Sequence, residues 1–250
     1  MLFKQRLFLN NWIAKFIAKA IKKWYYNNGV IMISIKNLYL SFIKEYDALH
    51  NISLEIEDGE KVALIGGSDS GKTMLLRVLA KLEKYKKGEV YIKNINLKKI
   101  DFRQDIEVGF VPKSFVFLNN KTVKENLEWI LKKRNYDSST INLKVLIAMK
   151  SFDIESIQNM KIKQLTNYQK CLVQLARVSL RKVELFLIDD ICKDLDNIEI
   201  QKIIEKIKNL IEQNSQRTFV IAFTDEKLAD SLNLKKIYLK DGEIVENENN

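Results

Sequence analysis

Residues 61–73 read KVALIGGSDSGKT: a short apolar run, a glycine-containing loop, then the start of an amphipathic stretch. An apolar run of this length, bounded by turn residues, is expected of a buried parallel strand. The segment therefore predicts strand, loop and helix in succession. The loop from Gly66 to Thr73 fits the pattern G-x-x-x-x-G-K-S/T. That pattern binds phosphate. Backbone N–H groups at a helix N-terminus point at phosphate oxygens, and the helix dipole favours negative charge there. The expected phosphate-binding residues are Gly66, Gly67, Ser68, Asp69, Ser70, Gly71, Lys72, Thr73 and Met74. Gly71 permits close backbone approach, Lys72 reaches the β- and γ-phosphates, and Thr73 is placed to ligate magnesium.

A second apolar run, LFLID, ends at Asp189 and continues into Asp190. A carboxylate at the end of a buried strand, downstream of such a loop, is the expected second magnesium ligand, so the metal residues are Thr73 and Asp189. Earlier runs, MISIKNLYLSF from Met32 and then ISLEI, read as strands, with Asp58-Gly59 as a turn. Helical patterns cover Met74 to Leu82, roughly 122–150, 166–180 and 197–213; FVIAF is a further strand, and a hairpin turns at Asp241-Gly242. Strands alternating with helices predict an α/β fold with a mainly parallel sheet.

The net charge of +10 points to an anionic partner. Its distribution narrows the class. Residues 1–31 hold Lys4, Arg6, Lys15, Lys19, Lys22 and Lys23 and no acidic residue, so the remainder is only mildly basic and no nucleic-acid partner is expected. Apolar pairs in residues 1–27 recur every four positions, from Phe8/Leu9 to Trp24/Tyr25. This predicts a basic amphipathic helix suited to an anionic membrane surface. It is too charged to span one. Cys171 and Cys192 have no metal-type spacing and fit a reduced, cytoplasmic chain.

From Met32 onward the chain resembles the ABC (ATP-binding-cassette) ATPase family. Weaker marks stand in the family's order around the phosphate loop. Phe42, with Tyr46 nearby, occupies the adenine-stacking position. GFVPK, Gly109 to Lys113, occupies the Q-loop, and TVKENL from Thr122 resembles the start of the helical subdomain. LTNYQ, Leu165 to Gln169, occupies the signature. KDLD, Lys193 to Asp196, resembles the D-loop, and AFTD, Ala222 to Asp225, holds the switch position. The resemblance implies a P-loop NTPase core, an N-terminal antiparallel β-subdomain and an inserted α-helical subdomain at about 114–180. The cassette would be residues 32–250, with 1–31 as an extension. ATP and Mg2+ are the implied cofactors.

The departures from the family fall on catalytic positions. Lys113 replaces the Q-loop glutamine, Asp190 the catalytic glutamate, and Thr224 the switch histidine; the single histidine, His50, precedes the phosphate loop. Asp190 keeps a carboxylate one methylene shorter, so it and Lys72 are the catalytic candidates. In the signature, Thr166 keeps a hydroxyl, whereas Asn167 and Tyr168 replace glycines and Gln169 follows. Tyr168 is expected to crowd a partner's phosphate. Asp69 replaces a glycine and adds a negative charge to the loop.

As the resemblance implies, each ATP lies between one cassette's loop and the other's signature. The expected role is an ATP-binding subunit that moves integral membrane subunits, peripheral on the inner face of the cell membrane, with slow or partner-dependent hydrolysis. A heterodimer with a second cassette is favoured over a homodimer, because a homodimer would place every departure in both sites. A non-hydrolytic ATP-binding module of a membrane assembly is the alternative.

Overall fold

The computed structural model describes residues 31–43 and 46–246. The helix expected over residues 1–27 lies outside them. Among the described residues, no helix is long and apolar enough to cross a membrane.

Ten strands among the described residues form two sheets. β1 (Ile31–Ile43), β2 (Tyr46–Glu57), β4 (Lys87–Ile92) and β5 (Ile95–Asn96) make an antiparallel sheet in the order β2-β1-β4-β5. β2 shows why this sheet has one wet face: Leu49, Ile52 and Ile56 are buried, while His50, Asn51, Ser53 and Glu55 are exposed. The second sheet has the order β10-β9-β3-β8-β7-β6. Its strands are β3 (Lys61–Ile65), β6 (Val108–Val111), β7 (Leu185–Asp189), β8 (Thr218–Phe223), β9 (Lys235–Lys240) and β10 (Glu243–Val245). β6 to β9 and β3 pair in parallel, and only β10 is antiparallel. This is the α/β architecture expected from the alternating runs, with the antiparallel unit placed N-terminally.

The uninterrupted apolar runs follow from burial on both faces. Leu185 and Leu187 of β7 enter one core, with Val62 and Leu64 of β3 and Val220 and Ala222 of β8. Phe186 and Ile188 enter the other, with Ala63, Ile65, Phe219 and Ile221. Phe186 and Phe219 face each other in register and stack with ring centroids 4.3 Å apart. The first core is closed by the antiparallel sheet and by α1 (Lys72–Leu79), through Leu75, Leu76, Val78 and Leu79. The second is closed by α2 (Val123–Lys132), α3 (Ser138–Ser151), α4 (Asn167–Ser179) and α5 (Asn197–Gln213), with the short α6 (Glu226–Ser231) at its edge.

Three helix starts are capping boxes readable as S/T/D-x-x-E/Q: Thr122 with Glu125, Thr166 with Gln169, and Asp196 with Glu199. The helical stretch expected over 122–150 is in fact two helices. Asn135 takes a left-handed conformation (φ 56°), and the Asp137 carboxylate accepts the Thr140 N–H at 2.9 Å. A residue with a short polar side chain tolerates that backbone, and an aspartate then caps the next helix.

Candidate nucleotide site

Parallel strands end on one edge of their sheet, and here that edge gathers the chemistry. β3 delivers the loop, β7 delivers Asp189 and Asp190, and β8, lying between them, delivers Thr224. The loop and the carboxylates, more than a hundred residues apart in sequence, meet through one hydrogen bond: Thr73 Oγ1 to Asp189 Oδ1 at 3.0 Å. A hydroxyl and a carboxylate side by side are hard oxygen donors, which suit a divalent cation such as Mg2+ that also draws ligands from phosphate and water.

The loop encloses its own lysine. Lys72 Nζ donates to Gly66 O at 2.6 Å, Gly67 O at 2.7 Å and Ser70 Oγ at 3.1 Å, and the residue is only 6% exposed. Burial pushes the ammonium's pKa down, and the carboxylate of Asp190 works against that shift. Asp189 shows the complementary effect: burial raises it, opposed by the Thr73 hydrogen bond and the charge of Lys113.

Two conformational demands explain the loop's residues. Gly71, which precedes α1, has φ 98°, and a Cβ there would lie 2.9 Å from Ala48 O. Asp69 has φ 64°, the left-handed region that aspartate tolerates as a glycine substitute. The loop is also held from outside: Gly242 N donates to Ser70 O at 3.2 Å, and Leu239 O faces Gly66.

Gly66 and Gly67 are not equivalent. A Cβ on Gly66 would sit 2.2 Å from Leu239 O and 2.6 Å from Ser70 Oγ, whereas one on Gly67 meets nothing within 4 Å. Gly66→Ala is therefore expected to destabilise the fold by about 1–3 kcal/mol, the usual cost of overpacking, while Gly67→Ala leaves stability unchanged. Thermal unfolding of the two variants decides it; equal melting temperatures would refute the difference.

The cleft over the loop has a volume of about 450 Å³ and is lined by Gly67 to Met74, together with Ala48, Lys113, Asp190 and Lys193. Ala48 was not singled out from sequence, and Lys193 was read only as the start of KDLD. Lys193 stands three residues beyond Asp190, inside the KDLD segment, so its nearness to that carboxylate was the available signal.

Asp190 is 6% exposed, has φ 33°, and is engaged on one oxygen by two side chains. Thr224 Oγ1 lies 2.8 Å from Asp190 Oδ2, and Lys113 Nζ lies 3.5 Å from the same atom. Lys113, Asp190 and Thr224, read one by one in the sequence, thus form one cluster.

Thr166 to Gln169, expected as the signature, do not line this cleft. They open α4, where Thr166 Oγ1 accepts the Gln169 N–H at 3.2 Å and Gln169 Oε1 accepts the Thr166 N–H at 3.0 Å. Thr166 and Asn167 are exposed, but Tyr168 does not stand free at the helix tip. It is half-buried and packs against the core. The expectations for Phe42 and Tyr46 concern side chains outside those described.

A phosphate loop, an adjoining hydroxyl–carboxylate pair and a parallel sheet flanked by helices define a P-loop nucleotide-binding domain. A family model described as ABC transporter matches residues 49–193, and the chain belongs to that family. It is 33% identical over 230 residues to an uncharacterized ABC transporter ATP-binding protein of Methanocaldococcus jannaschii, covering 87% of this chain and 97% of that protein. It is 32% identical over 212 residues to the sn-glycerol-3-phosphate import ATP-binding protein of Bartonella bacilliformis, covering 82% of this chain. The chain spans 60% of that relative's length. A solved dimeric structure of the same archaeal cassette, in a post-hydrolysis state bound to ADP and Pi, matches with a TM-score of 0.76 at 30% identity, covering 86% of this chain and 97% of that one.

Proposed function

We propose that this chain is an ATP-binding subunit of a membrane transporter, in which ATP binding closes a cassette dimer and moves membrane-embedded subunits. The observation that carries the reading is the convergence of Lys72, Thr73 and Asp189 at the strand ends. Mg2+ would sit at Thr73 and Asp189. The partner cassette would contribute its signature to this cleft, while Thr166 and the N-terminus of α4 would serve the partner's ATP. A different cassette suits that arrangement better than a second copy, since Lys113, Asp190 and Thr224 would otherwise weaken both sites. The membrane subunits, and the basic segment 1–27 against anionic lipid, would hold the chain on the inner face of the cell membrane.

The state of Asp190 favours a second reading beside the first. A carboxylate already bonded to Thr224 and paired with Lys113 is a poor base for an attacking water. The chain would then act as an ATP-dependent clamp, with hydrolysis left to its partner. Phosphate release by the purified chain, alone and with a second cassette subunit, tests this. Slow turnover alone and faster turnover in the mixed complex are expected. Fast turnover by the single chain would sink both the clamp and the division of labour.

A further inference from the structure

The phosphate cleft carries more positive charge than its loop supplies. Lys72 belongs to the loop; Lys113 and Lys193 reach the cleft from the segments that follow β6 and β7. Lys113 is the better placed of the two. It lines the cleft beside Thr73 and Asp190, and its charge acts on the Asp189 carboxylate of the pair expected to hold the metal. Its ammonium is 3.5 Å from Asp190 Oδ2 and its side chain is 35% exposed, whereas Asp190 is almost wholly buried. One long contact leaves an ammonium with unused donors, since it carries three N–H bonds and no acceptor. Those donors are on a side chain that lines the cleft.

A glutamine at this position would offer a neutral oxygen to a cation. A lysine repels a cation and attracts a phosphate. With Thr224 already bonded to Asp190, the ammonium can leave its long contact without stranding that carboxylate. Lys72 and Lys113 also face the same cleft with like charge, and an anion between them relieves that repulsion.

We propose that Lys113 supplies, as a fixed ammonium, part of the positive charge that the outer phosphate of ATP otherwise draws from a divalent cation, so that this site binds ATP with little dependence on Mg2+. The proposal rests on the nucleotide reading of this cleft. Its chemistry is a charge-assisted hydrogen bond from the ammonium to a phosphate oxygen.

The test is equilibrium binding of ATP and ADP to the full chain, with Mg2+ and with EDTA. The wild type is expected to hold ATP in EDTA within about threefold of its affinity in Mg2+. Lys113→Gln is expected to lose about tenfold for ATP in EDTA, the size of one charged hydrogen bond, and less in Mg2+, where the ion replaces the lost charge. Lys113→Arg keeps a cation and should keep most of the binding in EDTA. ADP lacks the outer phosphate, so its affinity should change little on Lys113→Gln. The proposal is overturned if wild type and Lys113→Gln respond alike to EDTA, or if Lys113→Gln weakens ADP as much as ATP. Absence of ATP binding by the wild type in both conditions would overturn the nucleotide reading itself, a different result from an unaltered EDTA response.

Discussion

Lys72→Ala lowers ATP affinity at least about tenfold, measured by titration calorimetry on the full chain. The ammonium is buried, and two backbone carbonyls and the Ser70 hydroxyl hold it inside the loop. The ammonium's position is therefore set before nucleotide arrives, and little side-chain freedom remains to be lost when a phosphate oxygen takes over one of these bonds. Hydrogen bonds to charged groups contribute about 1.5–3 kcal/mol, and every 1.4 kcal/mol is tenfold in affinity. Lys113 and Lys193 do not compensate, because neither donates to the loop's carbonyls. Unchanged affinity in the variant would remove the loop from the binding site.

The second large effect is on turnover. Installing together the groups that the family resemblance implies, as Lys113→Gln, Asp190→Glu and Thr224→His, should raise ATP hydrolysis by on the order of 10²-fold over the unaltered chain, assayed by phosphate release with a second cassette subunit present. A displacement of about 1 Å between base and water can cost that much. Asp190 is shorter than glutamate, and its outer oxygen is already occupied by Thr224 and Lys113. Asp190→Glu alone should gain far less, because Lys113 would still pair with the new carboxylate. If the triple variant stays within about threefold of the original, the slow step lies outside this cluster.

The course of the chain shows what local rules can reach. β3, β7 and the stretch 197–213 were legible because each is a long or uniform pattern: four buried apolar residues in a row for the strands, and a 3.6-residue repeat behind an aspartate cap for α5. The loop was legible because its backbone demands glycine or a tolerant substitute at particular positions. The break between α2 and α3 was not, since it depends on Asn135 adopting a left-handed turn amid residues that also suit a helix. The β4–β5 hairpin was missed for another reason. Its strands are short and only Val90 and Ile92 are fully buried, so the alternation is faint. At the site, residue types at Lys113, Asp190 and Thr224 were readable one at a time. Their union on one carboxylate oxygen arises from strand order, which places β8 beside β7 and brings β6 along its other edge. The packing of Tyr168 likewise depends on contacts with distant elements, and no spacing along α4 announces it.

The backing of the phosphate loop by Leu239 and Gly242 has a consequence for how the protein is made. The loop is synthesised at residues 66–73, but its outer wall comes from a strand and a turn about 170 residues later. On the ribosome the motif would remain without its wall while those intervening residues are added. Docking of β9 and β10 therefore completes the loop's surroundings, and the phosphate loop is a product of the C-terminal half of the cassette as much as of its own glycines.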